Sequence, residues 1–72
     1  MHTLEQLRRG DLAGATRLDL SCGLDELPAE VLGLADSLEV LNLSGNRLTT
    51  LPAWLPRLQR LKVIFASDNP FT

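Results

Sequence analysis

The apolar residues of this chain recur at a long fixed interval. The clearest unit is Leu38-Glu39-Val40-Leu41-Asn42-Leu43-Ser44-Gly45-Asn46-Arg47-Leu48, which reads L-x-x-L-x-L-x-x-N-x-L. Leu61, Ile64, Ala66, Asn69 and Phe71 stand 23 positions after Leu38, Leu41, Leu43, Asn46 and Leu48. Ala15, Leu18 and Leu20 stand 23 positions before Leu38, Leu41 and Leu43. The register then slips by one. Cys22 and Leu24 precede Asn46 and Leu48 by 24, as do Leu27-Pro28, Val31 and Leu34 their counterparts Leu51-Pro52, Leu55 and Leu58. One extra residue within Ala35-Asp36-Ser37 restores the period.

Within each unit the spacing changes. Leu41 and Leu43 alternate, the period of two of a short strand. Leu55 and Leu58 are spaced i, i+3, which places both on one face of a helical turn. Pro52 suits the start of such a turn, where its missing N–H costs nothing. Pro56 lies inside the segment and predicts a short 3₁₀-like return instead of a regular helix. A strand, a turn and a helical return form one unit, and a single unit cannot cover its own leucines. Neighbours must therefore stack.

The eight fixed positions, with the segments Leu27-Pro28-Ala29-Glu30-Val31 and Leu51-Pro52-Ala53-Trp54-Leu55, resemble the leucine-rich-repeat family. The 23-residue LPxxL form is similar to the bacterial and signalling-type repeats. The resemblance covers about residues 15 to 72. It implies an α/β fold: a short solenoid with a parallel sheet of about three short strands and helical or 3₁₀ returns. The expected organisation is an N-terminal capping helix over 1–14, repeat 1 over 15–37, repeat 2 over 38–60 and a truncated repeat 3 over 61–72.

The first residues depart from the repeat. Thr3-Leu4-Glu5-Gln6 fits a capping box, with Thr3 as N-cap and Gln6 reaching back. Leu4 and Leu7 form an apolar stripe, Gly10 ends the helix, and Leu12 adds a core contact. His2, near the terminus, is expected to be solvated and without partners. At the other end the chain stops in the turn of the third unit, leaving Leu61, Ile64, Ala66 and Phe71 uncovered. That predicts the opening portion of a longer protein, with self-association through the uncapped end when the piece is alone.

The resemblance also assigns positions. Asn46 and Asn69 occupy the place where a side-chain amide bonds the backbone of adjacent turns, a structural ladder in which Cys22 takes the first position. In this family the strands line up on the concave face with their variable positions outward. Columns across the units are Thr16, Glu39, Lys62; then Arg17, Val40, Val63; then Asp19, Asn42, Phe65; then Ser21, Ser44, Ser67. Arg17, Asp19, Glu39, Val40, Asn42, Lys62, Val63 and Phe65 are the candidate protein-binding residues. Val40, Val63 and Phe65 should form one apolar patch, read either as a contact surface or as β-propensity alone. Trp54 falls under Glu30 at an outward position; it packs over Pro56 or a neighbouring turn, or it meets a partner.

Charge and composition narrow the function classes. Nine acidic and seven basic residues, for a net charge of −2, are scattered along the chain, which argues against nucleic-acid or anionic-membrane binding. One cysteine excludes an internal disulfide framework. The N-terminus lacks a signal-peptide core, and no apolar run approaches the roughly 20 residues of a membrane span. Cytoplasmic residence is the expectation. The single His and single Cys offer no metal spacing, the glycines form no phosphate loop, and no base accompanies Ser21, Ser44 or Ser67. No catalytic, cofactor or metal site is expected. A non-catalytic protein–protein interaction scaffold follows, with an unidentified protein partner. The alternatives are the recognition front of a larger enzyme, for which the resemblance suggests a bacterial protein kinase, and a purely structural repeat segment.

Overall fold

The computed structural model describes residues 2–21 and 23–71. Three short strands, β1 (Arg17–Asp19), β2 (Val40–Asn42) and β3 (Val63–Phe65), form a parallel sheet in the order β1-β2-β3. Leu18 faces Leu41, and Leu41 faces Ile64. The carbonyl of Thr16 accepts from the N–H groups of Glu39 and Val40, and that of Glu39 accepts from Lys62 and Val63 in the same way. Parallel neighbours require a long crossover, and here each crossover contains a 3₁₀ helix: Ala29–Leu34 and Leu55–Arg57. This is an α/β repeat arrangement, with the strands on one side and the returns on the other.

The core lies between them. Leu18, Leu20, Leu38, Leu41, Leu43, Leu48 and Val31 are fully buried. Full burial of a leucine is worth about 1.5–3 kcal/mol, so these side chains dominate the stability. Val31 and Leu34, in the first return, are three residues apart and both buried. A 3₁₀ helix has three residues per turn, which eclipses i and i+3 and turns both inward. Pro56 falls in the first turn of the second return, and Leu58 caps that return while its side chain enters the core. Pro52 starts the approach, its carbonyl accepting from Leu55 N–H at 3.2 Å.

Coverage falls toward β3. Leu27 is 7% exposed, whereas its counterpart Leu51 is 40% exposed. Ile64 and Ala66 are half-buried and Phe71 is exposed. Among the described residues no further strand lies beyond β3.

At the β1 side the helix α1 (Leu4–Arg8) covers the core through buried Leu7 and half-buried Leu4. Its capping box is complete: Gln6 N–H donates to Thr3 Oγ1 at 3.1 Å, and Thr3 N–H donates to Gln6 Oε1 at 2.9 Å. It ends in a Schellman turn, with Gly10 N–H donating to Leu7 O and Asp11 N–H to Gln6 O. Gly10 takes φ +78 there, a conformation glycine adopts without steric cost. Arg8 Nε lies 3.1 Å from Glu30 Oε2, tying the helix to the first return.

His2 corrects the sequence expectation. It is half-buried and pairs with β1 rather than standing free in water. Its N–H donates to Asp19 O at 2.9 Å, and its Nδ1 accepts from Asp19 N–H at 3.0 Å. An unpaired strand edge leaves peptide groups without partners, and His2 supplies both a donor and an acceptor to the same residue.

Candidate protein-binding face

The outward positions of the strands build one surface. Arg17, Val40 and Val63 are register partners, as are Asp19, Asn42 and Phe65. Alternate residues of a strand share a face, so both rows project away from the core leucines. Val63 and Phe65 are exposed, by 40% and 48%, and Val40 is half-buried beside Val63. The three form a continuous apolar strip across β2 and β3.

Charged groups border the strip. Arg17 Nε donates to both carboxylate oxygens of Asp19, at 3.1 and 3.0 Å, and Arg17 Nη2 lies 3.0 Å from Asp19 Oδ1. These bonds to Arg17 are the main reason the Asp19 carboxyl sits below its ordinary value, against the opposing cost of partial burial. In the preceding column Lys62 Nζ lies 3.5 Å from Glu39 Oε1. Asn42 Oδ1 accepts from Ser44 N–H at 3.1 Å. A shallow depression lined by Asp19, Leu20, Ser21, Asn42 and Ser44 opens beside Phe65's row.

Two side-chain amides, Asn46 buried and Asn69 half-buried, hold the turns beneath this face. Asn46 Nδ2 donates to Leu20 O and Leu43 O, both at 2.7 Å, and Asn46 Oδ1 accepts from Leu24 N–H at 3.2 Å. Asn69 Nδ2 donates to Leu43 O, Ala66 O and Ser67 O, while its Oδ1 accepts from Leu48 N–H at 3.1 Å. Each amide therefore joins its own turn to the preceding unit. Cys22, assigned to the same column, lies outside the described residues. Gly45 sits in this turn at φ +76, where an added Cβ would come within 3.0 Å of Ser21 Oγ. Asp68, 23 positions later, takes φ 58 without glycine's freedom.

The segment holding β2, its asparagine turn and the second return matches the Leucine Rich Repeat family model over residues 37–58. The murine protein Transforming growth factor beta activator LRRC32 (Mus musculus) is 48% identical over 56 residues, which make up 75% of this chain and 8% of that relative. The chain thus spans less than a tenth of the relative's length. The flanking strands add the register partners on either side of this repeat.

On the opposite side of this matched segment, Trp54 is half-buried and packs against the core cluster. It borders a hollow of about 280 Å³ with Asp25, Glu26, Leu27, Thr49, Thr50 and Pro52. Trp54 therefore stands on the return side of the unit, away from the strand face. Arg47 Nε lies 3.2 Å from Asp25 Oδ1, linking the repeat's turn to the preceding one. The sequence reading missed His2, whose two bonds to Asp19 place it at the margin of the strand face. No local signal marks it, because its partner lies 17 residues away. Among the described residues, no three His, Cys, Asp or Glu are grouped to hold a metal ion, and no helix is long and apolar enough to cross a membrane.

Proposed function

We propose that this chain is a non-catalytic protein-interaction module whose strand face, centred on Val40, Val63 and Phe65 and bordered by Arg17, Asp19, Glu39, Asn42 and Lys62, contacts a protein partner. One observation carries the reading: two large apolar side chains, Val63 and Phe65, stand exposed on a sheet whose opposite side is packed at Leu18 and Leu41 and half-covered at Ile64. Exposed apolar groups on a rigid surface favour association, and an aromatic is an effective anchor. Trp54 is assigned to packing on this reading, since it borders the core from the return side.

A photoreactive benzophenone side chain at position 65 tests the proposal in cells expressing the chain. Crosslinks to a discrete set of proteins from position 65, absent when the probe is moved to exposed Gln59 on the return side, are expected. Equal crosslinking from both positions would remove the basis for assigning contact to the strand face.

A further inference from the structure

If the strand face is the contact surface, as proposed above, its own charges decide the chemistry of what it accepts. The strand columns carry four charged side chains, and each lies against an opposite charge on the same face: Arg17 with Asp19 and Lys62 with Glu39. Asp68 lies in the turn beyond them. An incoming carboxylate would have to compete with Asp19 for Arg17, which already donates to both Asp19 oxygens. An incoming ammonium would meet the same obstacle at Asp19 and at Glu39. These pairs are partly exposed and weak, yet each charge is largely cancelled by its neighbour, so a third charge gains little.

The uncharged groups present the opposite case. Val63 and Phe65 are exposed on the face and Val40 is half-buried beside them, and burying their remaining area gains free energy in proportion to it. Next to them, Asn42, Ser21 and Ser44 line the shallow depression with neutral hydrogen-bonding groups, beside Asp19, whose carboxylate is held by Arg17. We propose that the face accepts an uncharged, apolar segment of a partner protein: an aliphatic or aromatic anchor over Val40, Val63 and Phe65, flanked by neutral amide or hydroxyl groups. Ionic attraction contributes little to the affinity. The internal Arg17–Asp19 and Glu39–Lys62 pairs act against highly charged competitors, because each must break a pair to bind.

Selection of displayed peptides against the immobilised chain tests this directly. Three pools are used: one of apolar residues with Ser, Asn, Gln and Gly, one enriched in Lys and Arg, and one enriched in Asp and Glu. Binders are expected chiefly from the neutral pool. Their affinity should change by less than about threefold between about 0.05 and 0.5 M sodium chloride, a range over which exposed charges become strongly screened. Sodium sulfate should tighten binding, as it strengthens apolar burial. Phe65→Ser should weaken binding by about tenfold or more, with unfolding temperature unchanged because the side chain is exposed. Binders drawn mainly from a charged pool, still dependent on Phe65 and losing more than about tenfold across the salt range, would overturn the inference and leave the contact face standing. Binders from any pool that are indifferent to both Val63→Ser and Phe65→Ser would defeat the contact face itself. An absence of binders from all three pools also overturns the inference.

Discussion

The side-chain amides of Asn46 and Asn69 converge on one acceptor, the carbonyl of Leu43, at 2.7 and 2.8 Å. A carbonyl oxygen has two lone pairs, and here each is used by a different turn. Asn46 reaches back to Leu20 and Asn69 reaches back to Leu43, so the residues just after β1 and β2 are each fastened by the turn of the next unit.

Replacing either amide should expose that dependence. Asn46 is buried, and Asn46→Leu strands the Leu24 N–H and the Leu20 carbonyl away from water. Each unsatisfied buried group costs about 1–3 kcal/mol, so a loss of about 3 kcal/mol is expected in urea unfolding. Asn69 is only half-buried, and Asn69→Leu should cost about half as much, because water reaches some of the freed groups. The double variant should depart from additivity by about 0.5 kcal/mol or more, since the two share Leu43.

Truncation of core leucines should separate the covered from the uncovered units. Leu41 is fully buried between Leu18 and Ile64 in register. Leu41→Ala is expected to cost about 2–5 kcal/mol. Leu51, 40% exposed, should lose less than about 1 kcal/mol on the same change, because little cavity forms. Chemical denaturation of both variants measures the difference.

Asp68 offers a gain. It holds φ 58, a left-handed conformation that costs an L-residue about 1–2 kcal/mol, somewhat less for Asp. Gly45 takes the corresponding place one period earlier. Asp68→Gly should raise stability by up to about 1 kcal/mol, after the extra unfolded-state entropy of glycine is counted. An unchanged or lower unfolding midpoint would show that Asp68 compensates its strain through its side chain.

The Arg17–Asp19 pair predicts a weak acid dependence. The folded Asp19 carboxyl lies below 3.8, the value for the free group. A depressed folded value means that the stabilisation is complete above about 3.8 and fades as pH falls through the folded value. Both side chains keep contact with water, so the contribution is under about 1 kcal/mol. Asp19→Asn should therefore reduce stability slightly at pH 6 and by less at pH 2, with unfolding followed by circular dichroism at both.

Much of the fold was legible in the leucines. The step of 23 between Leu18, Leu41 and Ile64 is the step between register partners in the sheet, because one period of sequence equals one turn of the stacked chain. Pro56 pointed to a 3₁₀ return, and Leu55–Arg57 forms one. The first return has no internal proline, yet Ala29–Leu34 is 3₁₀ as well. The spacing of Val31 and Leu34 foretold that both face inward, but an i, i+3 pair shares a face in either kind of helix, so the spacing did not distinguish them. His2 was missed for a related reason. Its pairing with Asp19 depends on where α1 delivers the chain relative to β1, and spacing within a repeat carries no information about that. That Trp54 packs against the core cluster also required the coordinates, since both packing and partner contact were open at an outward position.

The brevity of the strands sets a scale for recognition. Three residues of strand extend roughly 10 Å, and three adjacent strands measure about the same from first axis to last. Such a tile is far smaller than the roughly 800 Å² that each side of a stable complex contributes. A long-lived complex must therefore spread past the sheet onto the serine-bearing turns and their neighbours, with the hydrophobic strip as its seed and not its full footprint.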